Sequence, residues 1–120
     1  MATAATTVLI VDDHPSFRAT ARLLLEVEGY DVIGEAEDGE KAIVAAGELR
    51  PDLVLLDVNL PDIDGFAVAR RITGDEAAPA VILTSSRDSS DFGTAVTRSG
   101  ARGFISKADL SGASLAELLG

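Results

Sequence analysis

Five short apolar runs alternate along the chain with longer segments whose apolar residues recur at helical spacing. The runs are too short for buried helices, and their unbroken Val, Ile and Leu content is typical of parallel strands covered on both faces. The second run carries the most charged residues, so we expect that strand at an edge of the sheet. The predicted strands are Thr7–Asp12, Asp31–Ala36, Leu53–Asp57, Ala80–Ser85 and Gly103–Ile105.

The intervening segments predict five helices, each with one apolar face. Pro15 suits the first turn of the first helix and Gly29 its C-terminal end, while Asp62 and Asp64 are expected to form a turn and cap the third helix. Right-handed crossovers then favour an α/β fold, a doubly wound five-stranded parallel sheet of order 2-1-3-4-5 in a flavodoxin-like (βα)5 arrangement. The apolar faces comprise Phe17, Ala21, Leu24 and Leu25; Ala42, Ile43, Ala46 and Leu49; Phe66, Ala69 and Ile72; Phe92, Ala95 and Val96; and Leu115, Leu118 and Leu119.

Composition narrows the class of protein. A chain of 120 residues, 47% of them apolar, suits a single domain with a substantial core. The absence of cysteine excludes disulfides and thiol chemistry, and a single histidine excludes a multi-histidine metal site. Without a secretory signal or an apolar stretch of about 20 residues, we expect a soluble, cytoplasmic protein with no membrane partner. A formal net charge of −10 makes direct nucleic-acid binding unfavourable.

Charged residues cluster at the predicted C-terminal ends of the strands. Asp12 and Asp13 end the first strand, Asp57 ends the third, and Lys107 follows the fifth. These ends gather at one edge of a parallel sheet, where open α/β folds bind their ligands. Because three neighbouring carboxylates repel one another, a bound cation is the usual relief, and oxygen ligands completed by water suit Mg²⁺. The main-chain carbonyl of Asn59 is placed to add one more oxygen.

Such a site is suited to phosphoryl transfer. A phosphoryl group arriving in line with Asp57 would have its charge neutralised by the metal and by Lys107, so that Asp57 could accept it. A hydroxyl at the end of the fourth strand, from Ser85 or Thr84, could hydrogen-bond a phosphoryl oxygen. Taken singly, each of these residues has an ordinary explanation as a turn former, helix-start acid or solvated lysine. Their combination at one edge of the sheet is what indicates phosphoryl chemistry.

Four segments of the chain carry further motifs: Val11–Pro15, Leu55–Gly65, Ile82–Ser86 and Gly100–Lys107. In this order they resemble the motifs of the receiver domain of bacterial two-component response regulators. The match covers essentially residues 7–119 and implies a single receiver domain over residues 1–120, with no output domain in this chain. The His14-Pro15 pair and the Asp57–Pro61 stretch are most similar to receivers of regulators with a helix-turn-helix output.

The resemblance implies a role for each residue of the charged cluster. Asp57 matches the phosphoacceptor, which takes its phosphoryl group from the phosphohistidine of a sensor histidine kinase. Asp13 matches the direct Mg²⁺ ligand, and Asp12 matches the acid that acts mainly through metal-bound water. Asn59 matches the carbonyl ligand and Lys107 the lysine that pairs with the phosphate. Mn²⁺ can substitute for Mg²⁺ in such a site.

The resemblance also implies a switch. The family's spacing selects Ser85 as the switch hydroxyl, with Thr84 as the alternative, and Phe104 matches an aromatic residue that turns inward on activation. Because phenylalanine lacks a hydroxyl, the switch would be steric, and it would alter the surface of the fourth helix, fifth strand and fifth helix. Asn59 and Arg87 occupy the positions that tune phosphate lifetime, and Arg87 favours slow hydrolysis.

We therefore expect a phosphoacceptor signalling domain that catalyses only its own phosphorylation and dephosphorylation. A homodimer can form on phosphorylation. Two alternatives remain open: an aspartyl-nucleophile phosphatase, which would want a second acid where Asn59 stands, and a module that binds partners without phosphorylation. For His14 we expect a passive role at the start of the first helix, because Pro15 already explains the local geometry.

Overall fold

The computed structural model of the chain describes residues 5–74, 77–86, 92 and 94–119. In these ranges, no helix has both the length and the apolar content needed to cross a membrane. The strands are β1 (Thr7–Val11), β2 (Asp31–Ala36), β3 (Leu53–Asp57), β4 (Ala80–Ser85) and β5 (Gly103–Ser106). The helices are α1 (Pro15–Val27), α2 (Gly39–Leu49), α3 (Gly65–Ile72), α4 (Ala95–Arg98) and α5 (Gly112–Leu119), with a 3-10 turn at Lys107–Asp109.

All strand pairs are parallel and their order is β2-β1-β3-β4-β5, so the predicted topology is confirmed. The charged strand β2 lies at an edge, as expected. Two strand ends differ from the prediction by one residue. Asp12 lies just beyond β1, although its N–H still donates to the carbonyl of Ala36, and β5 extends to Ser106.

The core has two layers because alternate residues of each central strand face opposite sides of the sheet. One layer packs β-strand side chains such as Leu9 and Leu56 against α2 and α3. The other packs side chains such as Ile10 and Leu55 against α1 and α5. The interior of β1 and β3 is therefore buried on both faces, which explains their unbroken apolar sequences and brings their C-terminal ends side by side.

Two aspartates of the β3–α3 loop have different structural roles. Asp64 caps α3 by accepting a hydrogen bond from the N–H of Ala67, at 2.9 Å, as predicted. Asp62 instead accepts from the N–H groups of Gly39 and Glu40, at 2.7 and 3.0 Å, and so binds the first turn of α2. The prediction that both residues cap the third helix was wrong for Asp62, because its carboxylate binds N–H groups of α2, more than 20 residues away in the sequence, and that of the adjacent Ile63.

The fourth helical segment also differs from the prediction. Its described helix begins at Ala95, whereas Phe92 lies in a turn before it. The ring of Phe92 packs between Phe66 and Phe104, with centroid distances of 5.5 and 5.3 Å. Phe92 is thus partly buried against the core, and aromatic packing and not helical periodicity fixes its position.

Candidate functional site

Three charged side chains, carried at or just after the ends of different strands, meet at the carboxyl edge of the sheet. Asp12 and Asp57 are almost fully buried, with 0% and 1% of their surface exposed. The register of β1 and β3 places Asp12 beside Asp57. The ammonium group of Lys107 forms an ion pair with both, its Nζ lying 2.6 Å from Asp12 Oδ2 and 3.2 Å from Asp57 Oδ2. The predicted convergence of these residues is therefore found in the structure.

The backbone around Asp57 is held by short-range contacts. Asp57 Oδ1 accepts a hydrogen bond from the N–H of Asn59, at 3.1 Å. The N–H of Val58 donates to the carbonyl of Thr84, and the N–H of Gly65 donates to the carbonyl of Val58. An added Cβ on Gly65 would lie 2.5 Å from Val58 Cα, which no real side chain tolerates. The glycine is required here because the start of α3 presses directly against the strand end that carries Asp57.

Burial makes the charge of Asp57 costly. It raises the pKa of the carboxyl group, and the neighbouring negative charge of Asp12 raises it further. The N–H of Asn59 and the ammonium group of Lys107 oppose this shift but do not cancel it. In the absence of a bound cation, Asp57 is therefore an electrostatically strained carboxylate, which is suited to take up positive charge or a new covalent partner.

Lys107 is fixed by more than its two carboxylate partners. Burial alone would lower its pKa, but Asp12 and Asp57 together outweigh that effect and the pKa is raised. Its ammonium group also lies 4.6 Å from the centroid of the Phe17 ring, a cation–π distance. The periodic pattern identified Phe17 only as a core residue of α1, and no local signal in the sequence indicated its contact with Lys107.

His14 contributes a nitrogen atom to the same cluster. Its ring Nδ1 lies 3.0 Å from Asp12 Oδ1 and 3.1 Å from Asp13 Oδ1, and its backbone N–H donates to Asp12 Oδ1 at 2.8 Å. The residue occupies the N-cap of α1, as the adjacent Pro15 indicated. The expected passive role at this helix start is incomplete, because the ring contacts both carboxylates.

Arg18 supports the cluster from the first turn of α1. Its Nη1 donates to the main-chain carbonyl of Asp12 at 2.6 Å, and its Nε donates to Glu35 at 3.0 Å. Arg22, one turn further along α1, donates to the other oxygen of Glu35. The i, i+4 spacing of His14, Arg18 and Arg22 on one helix was the only sequence signal for this support.

The donor atoms suit a divalent cation. One ligand atom each from Asp12, Asp13, His14 and Asp57 lie within 4.8 Å of one another. The three carboxylates match the oxygen preference of hard ions such as Mg²⁺. The residues present therefore fit the predicted cation, and the ring nitrogen of His14 lies within the same group of atoms.

Three of the residues predicted to respond to phosphorylation lie on the neighbouring strands β4 and β5. Ser85 and Thr84 are both buried at the end of β4. Ser85 Oγ accepts from Asn59 Nδ2 at 3.5 Å, whereas Thr84 Oγ1 has no hydrogen-bond partner among the described residues. Phe104 is half-buried on β5 and lines a surface pocket with Ser86, Ser106, Asp109, Ser114 and Leu118. Arg87 lies outside the described residues.

A parallel sheet of this order, with acids and a lysine at its carboxyl edge, defines the class of signalling receivers. The family model of the response regulator receiver domain matches residues 8–117. The chain therefore belongs to the response regulator receiver domain family of two-component systems.

Similar proteins include transcriptional regulators and response regulators of known structure. A transcriptional regulator from Pseudomonas aeruginosa is 38% identical over 112 residues, which cover 93% of this chain and 52% of the relative. The signal receiver domain of the response regulator NarL from Mycobacterium tuberculosis superposes with a TM-score of 0.87 at 31% identity, covering 98% of this chain and 99% of that one. The chain spans about half the length of the curated relatives that it matches.

A third similarity comes from a structure whose ligands are known. A chain of a CheX–CheY–BeF₃–Mg²⁺ complex from Borrelia burgdorferi matches with a TM-score of 0.82 and 28% identity. It covers 94% of this chain and 85% of that chain.

Proposed function

We propose that this domain accepts a phosphoryl group on Asp57 from a sensor histidine kinase, in a reaction that depends on Mg²⁺. One observation carries the proposal. The Asp57 carboxylate is buried at the carboxyl edge of the sheet, paired with the Lys107 ammonium group at 3.2 Å and clustered with Asp12 and Asp13. Membership of the receiver family supports the same chemistry.

Each residue of the site has a separate role in the phosphoryl transfer. One carboxylate oxygen of Asp57 attacks phosphorus, and the bond from phosphorus to the donor's nitrogen breaks as the departing imidazole keeps the electron pair. The N–H of Asn59 holds Asp57 Oδ1, which fixes the orientation of the carboxylate. Lys107, which already contacts Asp57 Oδ2, is placed to pair with the negative charge of the new phosphoryl group.

Asp12, Asp13 and Asp57, with the main-chain carbonyl of Asn59, would hold the Mg²⁺ ion. Bound there, Mg²⁺ supplies positive charge that neutralises the phosphoryl oxygens. The beryllofluoride and Mg²⁺ in the CheX–CheY complex support the assignment of the ion, because beryllofluoride imitates a phosphoryl group on a carboxylate.

The proposed response involves Ser85 and Phe104. The contact of Ser85 Oγ with Asn59, two residues after Asp57, supports Ser85 over Thr84 as the hydroxyl that meets the phosphoryl group. Phe104 pairs in the sheet with Leu83, two residues before Ser85, so a shift at the end of β4 would reach Phe104 through the pairing of β4 with β5. The altered surface would be that of α4, β5 and α5, where a homodimer can form. Asn59 and Arg87 would set the phosphate lifetime.

The phosphatase alternative gains no support. The position two residues after Asp57 carries the amide of Asn59, whose Nδ2 donates to Ser85 and cannot transfer a proton to a leaving group. We therefore infer a signalling domain, here one receiver domain over residues 7–119, and not a turnover enzyme. The transcriptional relatives support a role in regulating transcription.

Intact mass after incubation with acetyl phosphate and Mg²⁺ tests the proposal. Wild type and an Asp31→Asn control, altered at an exposed residue at the opposite end of the sheet, are expected to gain one phosphoryl group. Asp57→Asn protein, and wild type in excess chelator, are expected to gain none. An adduct that survives in Asp57→Asn would refute the site, and a wild type that gains no adduct would favour a phosphorylation-independent binding module.

A further inference from the structure

We propose that the imidazole of His14 is a nitrogen ligand of the divalent-cation site, so that the site binds borderline transition ions such as Co²⁺ and Ni²⁺ better than three carboxylates alone would. The proposal concerns the same site as the proposed function and rests on it. It assigns a role to the one histidine of the chain, which phosphoryl transfer to Asp57 does not otherwise use.

The spacing of the donor atoms supports a shared ion. His14 Nδ1 lies 3.0 Å from Asp12 Oδ1 and 3.1 Å from Asp13 Oδ1. Two adjacent ligands of an octahedral ion, each at about 2.1 Å and at right angles, lie about 3.0 Å apart. The oxygen of Asp57 completes a group whose members all lie within 4.8 Å of one another.

The backbone presents the ring to the site without removing its freedom to turn. The N–H of His14 is bound to Asp12 Oδ1, and Pro15 keeps His14 in an extended conformation, with φ −95° and ψ 109°. The side chain is 64% exposed, so the ring can rotate onto an ion without displacing core residues.

The chemistry of the ligand set predicts which ions bind more tightly when His14 contributes a nitrogen atom. Mg²⁺ prefers oxygen ligands, whereas imidazole suits Co²⁺, Ni²⁺ and Zn²⁺, and affinity rises from Mn²⁺ through Ni²⁺ in sites that contain nitrogen. A ring that merely hydrogen-bonds the two carboxylates would have a different effect. Its removal would change the affinities for all divalent ions in the same direction and by similar factors.

Calorimetric titration of tag-free protein at neutral pH, without a phosphoryl donor, separates these cases. Removal of the imidazole in His14→Ala is expected to weaken Ni²⁺ and Co²⁺ binding by at least about tenfold, because these ions lose a nitrogen ligand that Mg²⁺ does not take up. Mg²⁺ binding should change little. His14→Gln, which keeps the side-chain length, should lose the same selectivity, and Glu37→Gln, at an exposed acid of the β2–α2 loop, should bind all three ions as wild type does.

A second measurement needs no variant. Because His14 is the single histidine, the imidazole ¹⁵N signals of wild-type protein belong to it alone. Titration with diamagnetic Zn²⁺ should shift the Nδ1 signal in step with occupancy. An Nδ1 signal that stays in place, or equal losses for Mg²⁺ and Ni²⁺ in His14→Ala, would overturn the proposal.

Each of the two proposals can be refuted without refuting the other. A protein that gains phosphate on Asp57 with Mg²⁺ but binds Ni²⁺ equally well without His14 refutes only the nitrogen ligand. A protein whose Ni²⁺ binding requires His14 but which never accepts phosphate refutes only the phosphoacceptor role.

Discussion

Asp57 is a carboxylate in an environment that penalises its charge. Burial and the charge of Asp12 raise its pKa, so the folded protein holds a proton on this group more readily than the unfolded chain does. Stability therefore falls as pH rises from the group's ordinary titration range through its raised folded-state pKa. Above that range the unfavourable contribution is fully present, as long as no cation is bound.

Asp57→Asn should accordingly stabilise the metal-free protein at neutral pH. The neutral amide removes the repulsion with Asp12, and Lys107 keeps Asp12 as its partner at 2.6 Å. Urea unfolding in excess chelator at several pH values measures the difference, which should be small in acid and grow towards neutral pH. A variant less stable than wild type at neutral pH would show that the Lys107–Asp57 pair outweighs the burial of the charge.

At the level of elements, Asp62 joins the β3–α3 loop to the start of α2. The N–H groups of Gly39 and Glu40 lower the pKa of this carboxyl group, because they bind its charged form. The stability it contributes is present above its unfolded-state pKa and is lost as pH falls through the lowered folded-state value. Asp62→Ala should therefore destabilise the protein at neutral pH, with the difference from wild type disappearing in acid.

Thermal unfolding as a function of pH checks this expectation. Asp31→Asn, altered at an exposed residue outside the loop, serves as the control and should follow the wild-type profile. A constant difference between Asp62→Ala and wild type across the acid range would mean that packing, and not the charged hydrogen bonds, joins the loop to α2.

Two helical glycines offer a matched pair of substitutions. Gly65→Ala places a Cβ against the backbone of Val58, so we expect a loss of about 1–3 kcal/mol in the free energy of unfolding and slower phosphorylation of the displaced Asp57. Gly47, within α2, has open space where a methyl group would be added, so Gly47→Ala should stabilise by roughly 0.5–1 kcal/mol. Chemical denaturation of both proteins measures the two effects. Equal effects would contradict a close approach at Gly65.

A structural feature could be predicted from the sequence when its physical cause lies in residues that are close together along the chain. β1 and β3 were predictable because burial on both faces leaves an unbroken apolar run, and their order fixes where Asp12 and Asp57 meet. The contact of Asp62 with α2 was not predictable, since its partners there are brought close only by the fold. The same holds for the ring of His14 and for Phe92, whose positions depend on side-chain contacts that no periodicity records.

On the scale of the whole molecule, the chain has twenty acidic and ten basic residues. The resulting net charge of −10 destabilises the folded state through charge repulsion. Added salt should therefore stabilise the fold in general, because it screens this repulsion. A cation bound at the carboxyl edge should act differently, because it stabilises by occupying one site and not by screening the whole surface.

Unfolding in MgCl₂ and in NaCl at matched ionic strength separates the two contributions. A bound ion adds about 2.7 kcal/mol to the free energy of unfolding at one hundred times its dissociation constant, so wild type should be more stable in MgCl₂. Asp13→Asn should lose this excess while keeping the general salt effect, because Asp13 is a proposed ligand whose half-exposed side chain contributes little to the core. Equal stabilisation of wild type by both salts would mean that the carboxylates are only part of the acidic surface. An excess that Asp13→Asn abolishes would instead show that the repulsion between Asp12, Asp13 and Asp57 is relieved at this one position by a bound ion.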